Sequence, residues 1–336
     1  MHQTITQSTT NRRIMIVDAH NQFLRSYIVD PSLSTNGMPV GGTKGFLKIL
    51  NKLTREIKPD LVFIVWDGEG GSKKRKLINK DYKGGRTPPR PRLNRSTRDM
   101  TPAQEFENKL WQQVKLIELL NKTPVIQFME PGVEADDVIS FIKNSTSFMK
   151  DQKVIVSSDK DFIQILDEKT ILYRPTQSEV LNENRVLEKY GIHPANFALA
   201  RAIVGDTSDN LKGVKSVGLA TVSKRFPFFS NPESITLDDL KSFCLEQKES
   251  RNLKIYDSIL ESLDLVAENY KIMQLYSPLM SASLKNNINE VIDNYRPEFN
   301  KTSFRAEMIK EGFGEVSLED LFTNFKSLIS NFSLSS

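Results

Sequence analysis

Cysteine is nearly absent. Cys244 stands alone among 336 residues, which excludes an internal disulfide and fits a reducing compartment. Histidine is almost as scarce: His2, His20 and His193 are too scattered to suggest a zinc site. No apolar run approaches the ~18 residues of a membrane span. Met1 to Arg13 is polar and lacks the apolar region of a signal peptide, so residues 1–12 are expected to be a loose tail. The expectation is a cytoplasmic protein with no membrane partner. Hydrophobic residues at 38% and charged ones at 26% suit a globular chain long enough for two lobes. Internal repeats and low-complexity tracts are also missing.

What the chain does have is charge, unevenly placed. The net charge is +4. Between Gly70 and Arg98 stand Lys73, Lys74, Arg75, Lys76, Lys80, Lys83, Arg86, Arg90, Arg92, Arg95 and Arg98 against Asp81 alone, so this segment carries +10 and the remainder −6. A basic flap beside acidic groups suits a polyanion that is both held and cut. Gly84-Gly85, Pro88-Pro89 and Pro91 exclude a regular helix in its second half; Lys73 to Lys83 can be helical.

The acids fall at the ends of strands. Ile14-Met15-Ile16-Val17 and Leu61 to Trp66 are continuous apolar runs, the signature of buried parallel strands, and end in Asp18 and Asp67. Pro124 to Phe128 leads to Gly132-Val133-Glu134-Ala135-Asp136-Asp137, which opens a helix on which Glu134 and Asp137 share a face. Val154-Ile155-Val156 is followed by Ser157-Ser158-Asp159-Lys160-Asp161, and Thr170 to Tyr173 is a short fifth strand. Helices lie between. One spans Thr43 to Ile57. Another starts at Thr101-Pro102 and runs to about Leu120, with Leu110, Trp111, Val114, Ile117 and Leu120 as its buried stripe. The alternation indicates a parallel α/β sheet. Carboxylates crowded at one end of it repel unless cations neutralise them, and oxygen ligands alone point to Mg²⁺ or Mn²⁺. Gly41-Gly42-Thr43-Lys44 lacks the Gly-Lys-Ser/Thr order of a phosphate loop.

From about Ala198 the pattern is helical. Gly205-Asp206-Thr207-Ser208-Asp209-Asn210 adds two acids. Gly213 and Gly218, ahead of a segment with Lys224 and Arg225, read as a hairpin between helices whose N–H groups can meet a phosphate. Leu318, Leu321, Phe322, Phe325, Leu328, Ile329 and Phe332 form an apolar stripe that must dock, either on the protein's own helical lobe or on a partner protein.

Taken together, Asp18, Asp67, Glu134, Asp136, Asp137, Asp159, Asp161, Asp206 and Asp209, in the contexts Ile-Val-Asp, Val-Trp-Asp-Gly, Glu-Ala-Asp-Asp, Ser-Ser-Asp-Lys-Asp-Phe and Gly-Asp-Thr-Ser-Asp-Asn, resemble the flap endonuclease / 5′→3′ exonuclease family. Tyr82-Lys83-Gly84-Gly85-Arg86 is similar to its arch segment, and Gly213 to Val222 to its helix-hairpin-helix. The likeness covers about Met15 to Phe226 and is greatest to the stand-alone bacteriophage ribonuclease H branch. Lys215-Ser216 replaces a common Pro-Gly, and Thr87 to Arg98 departs from a plain helical arch.

The resemblance implies a PIN-like α/β nuclease core over residues 13–197, its basic arch at about 70–100, and a helical lobe over 198–336. It implies removal of RNA primers, 5′ ends and flaps with two Mg²⁺ ions, Mn²⁺ as a substitute, and K⁺ at the hairpin. The nine acids would serve the metals, with Asp159 and Asp161 between the two ions. Lys83 and Arg86 would act on the scissile phosphate. Tyr82, Lys73, Lys74, Arg75, Arg90, Arg92, Gly213, Lys215, Gly218, Lys224 and Arg225 would hold nucleic acid. The expected partners are branched or 5′-ended DNA, RNA–DNA hybrid, and a single-stranded DNA-binding protein or sliding clamp; the enzyme is expected to be a monomer, in the host cytoplasm if phage-encoded. The rival readings are a PIN-type ribonuclease and a non-catalytic branched-DNA-binding accessory protein.

Overall fold

The computed structural model describes residues 12–85, 94–251, 253–314 and 319–335. Six strands form one sheet: β1 (Arg13–Asp18), β2 (Leu61–Trp66), β3 (Ile126–Met129), β4 (Gln152–Val156), β5 (Thr170–Arg174) and β6 (Glu179–Leu181). Their order is β3-β2-β1-β4-β5-β6; the first five are parallel and β6 is antiparallel to β5. The five strands expected from the apolar runs are present. The three residues of β6 carry too little pattern to be read, and a left-handed Ser178 (φ 49°) turns the chain into them.

From β1 the chain builds outward through β2 and β3 on one side; β4 and β5 build the other. The β1/β4 boundary is therefore a topological switch point, and ligands bind outside the carboxyl ends of strands at such a crevice. Both faces of β1 and β2 are buried, which explains why these strands are apolar throughout.

Fourteen helices are described: α1 (Ala19–Val29), α2 (Gly41–Ile57), α3 (Lys73–Ile78), α4 (Pro102–Leu120), α5 (Ala135–Lys143), α6 (Glu183–Tyr190), α7 (Pro194–Val204), α8 (Leu219–Arg225), α9 (Leu237–Arg251), α10 (Lys254–Glu261), α11 (Leu263–Met273), α12 (Ala282–Asn294), α13 (Lys301–Lys310) and α14 (Glu319–Ser335). On one sheet face, Ile14, Ile16, Ile155 and Leu172 join Val138 and Ile139 of α5, Phe197 and Ile203 of α7, Val266 of α11 and Ile288 of α12. On the other, Met15, Val17, Val62 and Val154 join Phe23 of α1, Phe46 of α2, Leu116 of α4, and Phe304 and Phe325 of the last two helices.

One expectation about burial is corrected. On α4, Leu110 and Val114 are exposed, and the inward face is Asn108, Gln112, Leu116 and Leu119. Polar groups turn inward there because the Pro39 carbonyl needs donors: Asn108 Nδ2 and Gln112 Nε2 reach it at 3.0 and 2.8 Å. The start at Thr101 with Pro102 in the first turn is as read from the sequence, and a reciprocal capping box between Thr101 and Gln104 completes it.

The C-terminal stripe packs on the protein's own helical lobe, where Phe322 meets the rings of Phe299 and Phe304 and Phe332 meets that of Tyr295, and on the α/β core as well. Leu321, Phe322, Phe325 and Leu328 are buried in the same cluster as Phe46 and Leu50, and Asn324 Nδ2 donates to Asn51 Oδ1 of α2 at 2.8 Å. These side chains are used internally and present no anchors to a partner. Leu318 lies outside the described residues.

Candidate active site

The acids are placed by the strand ends and by the caps they make. Asp18 closes β1 and caps α1: its Oδ1 accepts from Asn21 N at 3.2 Å. Asp67, just after β2, caps α5 from outside the helix, accepting from Ala135 N at 2.9 Å. Ser157 ties the two central strands together. Its hydroxyl donates to Asp18 Oδ2 at 2.8 Å and accepts from Asp159 N at 3.1 Å, while Asp161 N donates to Asp159 Oδ1 at 2.9 Å. Short bonds within the chain thus bring Asp18, Asp67, Asp159 and Asp161 to the switch point.

Burial and mutual repulsion act on these carboxyls. Burial, then the charge of Asp67, push Asp18 up to about 7. Asp161 is pushed up to about 7 by burial and then by Asp159. Burial also raises Asp136, with Asp159 and Asp18 adding to it, and raises Asp159. Asp136, Asp161 and Asp209 line one cavity of about 10 Å³, room for a water-sized sphere. Among the described residues no three acid, histidine or cysteine side chains close around a single point. The donor set is carboxylate oxygen throughout, held by backbone N–H groups, the Ser157 and Ser208 hydroxyls and the Arg201 guanidinium, and it fits hard divalent ions. A larger groove of about 410 Å³ lies at the opposite ends of the strands, among Arg13, Ile57, Gln152 and Lys169, and lacks the acid cluster.

Not every predicted ligand faces this cleft. Arg75, expected on nucleic acid, is buried at 3% exposure. Its Nη1 donates to Glu134 Oε2 and Asp137 Oδ2, each at 2.7 Å, and its Nε to the Ile272 carbonyl at 2.9 Å. Tyr82 is buried too, and its hydroxyl donates to Glu134 Oε2 at 3.1 Å. Neither side chain is available to DNA. Asp137 is turned to Arg75 and also accepts from Leu279 N at 2.9 Å, so it is removed from the ion-facing set. The shared face of Glu134 and Asp137 is real, but an arginine occupies it.

Lys83 remains at the rim. Its backbone is left-handed (φ 54°), a strained conformation for a lysine, and its N–H is held by the Asp209 carbonyl at 2.8 Å. Its ammonium pairs with Glu134. Burial would lower its pKa; Glu134 and Asp136 outweigh that and raise it, so the amine stays charged. Lys73 and Lys74 are exposed, and Lys74 Nζ donates to the Leu279 carbonyl at 2.7 Å. Arg86, Arg90 and Arg92 lie outside the described residues.

Asp206 belongs to a second group. Burial would raise it, but hydrogen bonds from Ser208 and the charge of Arg201 hold it below the usual carboxylate range. Arg201 also pairs with Asp161. Neither Arg201 nor Ser157 was foreseen. The signal for Arg201 was there: it is the only charged residue in the apolar helix α7.

The segment from Gly213 to Arg225 is a loop leading into α8. Gly213 is needed for backbone packing rather than for phosphate approach, since a Cβ there would meet the Val204 carbonyl oxygen at 1.8 Å. Gly218 caps α8 with open space around it. Lys215 and Arg225 line a groove of about 460 Å³ with Thr221, Lys254 and Ser258, and Lys224 is exposed.

A parallel sheet with carboxylates gathered at its switch point defines a PIN-like nuclease fold. Residues 13–191 match the family model for the 5′-3′ exonuclease N-terminal resolvase-like domain. The chain belongs to the flap endonuclease / 5′-3′ exonuclease family. It is 30% identical over 270 residues to the 5′-3′ exonuclease of Aquifex aeolicus, covering 80% of this chain and 83% of that one. It is 29% identical over 245 residues to the thermostable DNA polymerase I of Thermus thermophilus, 72% of this chain and 27% of the polymerase. The solved T5 5′-exonuclease with bound zinc superposes with a TM-score of 0.66 at 19% identity, covering 84% of this chain and 99% of that one. The bacteriophage T5 D15 flap endonuclease, in a pseudo-enzyme–product complex with DNA and metal ions, superposes at 0.63 with 19% identity, 96% of this chain and 100% of that one. No helix among the described residues is long and apolar enough to cross a membrane.

Proposed function

We propose that this chain is a structure-specific 5′ nuclease that hydrolyses phosphodiester bonds at 5′ ends and flaps of branched DNA, and in RNA primers paired to DNA, during replication. The observation that carries this reading is the set of raised, mutually repelling carboxyls at the β1/β4 switch point, with a charged lysine at its rim. Bound Mg²⁺, or Mn²⁺ in its place, would activate water and stabilise the leaving 3′ oxygen.

Asp18, Asp67, Asp136 and Asp159 are the proposed holders of one ion; Asp161, Asp206 and Asp209 serve the second. Glu134 contributes through Lys83 and Arg75, which it orders. Lys83, aimed by its left-handed backbone, binds the scissile phosphate and stabilises charge there, and Arg86 is assigned the same role. Lys73, Lys74, Arg90 and Arg92 take backbone phosphates of the 5′ strand, and Lys215, Gly218, Lys224 and Arg225 grip the duplex as a helix-hairpin-helix with K⁺. The protein works as a monomer in the cytoplasm, alongside a single-stranded DNA-binding protein or sliding clamp.

Three 5′-labelled substrates test the polarity and the chemistry: a 5′ flap, a 3′ flap and an RNA–DNA hybrid, each with Mg²⁺. Short 5′ products from the first and third, with the 3′ flap left intact, are expected. Equal cutting of the 3′ flap would sink the 5′ polarity. Cleavage of single-stranded RNA alone would favour the PIN-type ribonuclease, and binding without cleavage the accessory protein.

A further inference from the structure

We infer that Arg201 is a positioning residue that sets the affinity of the second cation position, by standing in for the ion and competing with it. The inference rests on the metal-centre reading above and deepens it.

Arg201 projects from α7, a helix that is otherwise uncharged. Its side chain is 14% exposed. Its Nε and Nη2 donate to Asp161 Oδ1 at 3.2 and 3.0 Å, and Nη2 also donates to Asp206 Oδ2. One guanidinium therefore bridges an acid from the loop after β4 to an acid from the loop after α7. Asp206 is clamped from its other oxygen as well: the Ser208 N–H and hydroxyl reach Oδ1 at 2.7 and 2.6 Å.

Asp18, Asp67, Asp136 and Asp159 differ. Among the described residues none of them has a lysine or arginine within ion-pair distance. The two halves of the cleft are thus unequal before any ion arrives. One, bare of ion-paired cations among the described residues, is strongly repelling; Lys83 and Arg201 act on its Asp136 and Asp159 only from beyond ion-pair distance. The other already holds a fixed positive charge, because arginine does not deprotonate in proteins.

An ion entering the bare half relieves repulsion and breaks no ion pair among the described residues. An ion entering between Asp161 and Asp206 must push Arg201 aside or lie a few ångströms from it. A divalent and a monovalent cation at about that distance repel strongly enough to weaken binding more than tenfold, even at an effective dielectric near 20. Arg201 gives something in return. It holds Asp161 and Asp206 in register while no ion is there, so the second position is pre-shaped but weak. Cation loading should then be ordered, the bare half first.

Mn²⁺ binding, followed through the paramagnetic resonance signal of the free ion, tests this without reference to activity. The full chain is compared with R201M, which removes the charge, and R201K, which keeps it. The wild type should bind one ion tightly and a second at least tenfold more weakly. R201M should tighten the second ion about tenfold and leave the first within about twofold. R201K should stay close to wild type. Without metal at about pH 8, R201M should melt lower than wild type, because Asp161 and Asp206 are left uncompensated, and Mn²⁺ should restore it. A merely structural arginine would lower the melting temperature without tightening any ion. R201Q, which keeps hydrogen bonds, serves in the same titration if R201M does not fold. A second ion that binds equally or more weakly in the folded, uncharged variant overturns the inference. A wild type that binds no Mn²⁺ would overturn the metal-centre reading instead.

Discussion

Asp18→Asn takes one charge from the acid cluster and disturbs little else. Asn caps a helix as well as Asp does, so the bond from Asn21 N survives, and the Ser157 hydroxyl keeps a partner. In the folded protein burial, and then Asp67, push this carboxyl from 3.8 up to about 7. At 1.36 kcal/mol per tenfold, that is about 4 kcal/mol of stability forgone above pH 7 when no ion is bound. The sign follows from proton counting. The folded pKa lies above the unfolded one, so the native state holds the extra proton between about pH 4 and pH 7, and wild-type stability falls as pH rises through that window. Asn is neutral throughout. Its buried amide still costs some desolvation, so about half the penalty, ~2 kcal/mol, should be recovered. For a chain of this size that is about 4 °C in melting temperature. Melting in EDTA at a series of pH values is the assay. The variant should melt higher near pH 8, and the gain should fade toward pH 4. No gain at high pH, or a gain that ignores pH, would refute mutual repulsion as the force that shapes the cleft.

Arg75→Met should cost about 3–5 kcal/mol in denaturant melts, because Glu134 and Asp137 are left buried and uncompensated. Lys83→Ala should slow single-turnover cleavage by roughly 10²-fold or more while flap affinity changes far less, as its ammonium faces the acid cluster and not a remote phosphate track. Phe325→Ala should remove about 3–5 kcal/mol of stability and leave cleavage per folded molecule unchanged, since the ring is wholly buried against α2 and far in sequence from the acids.

The sheet was legible because buried parallel strands are written as unbroken apolar runs, and Asp18 and Asp67 at the ends of β1 and β2 marked the ligand edge. The α5 acids were legible for a similar reason: Glu134 is the cap residue and Asp136 and Asp137 fill the first turn. Which of them face the cleft was not. Composition counts Arg75 as one more cation in a basic segment; its burial depends on Ile272 of α11, almost two hundred residues away. Tyr82 and Asp137 were misjudged through the same contact. The inward face of α4 was missed because hydrophobicity alone was used to find it, whereas the Pro39 carbonyl draws Asn108 and Gln112 inward. Gly213 was read as an opening for phosphate; only three-dimensional proximity shows the α7 backbone lying against it.

Asp159 is the residue on which the account turns, because it touches both halves of the cleft: its charge acts on Asp18 and Asp136, and its loop carries Asp161. The most direct measurement is single-turnover cleavage of a 5′-labelled flap by wild type and Asp159→Asn, in Mg²⁺ and in EDTA, with flap affinity measured on the same preparations. The account predicts cleavage only by wild type with Mg²⁺, a loss of at least about 10³-fold in the variant, and affinity in Ca²⁺ within a few-fold for both. Cleavage by wild type in EDTA, or a variant within tenfold of wild type, would contradict it.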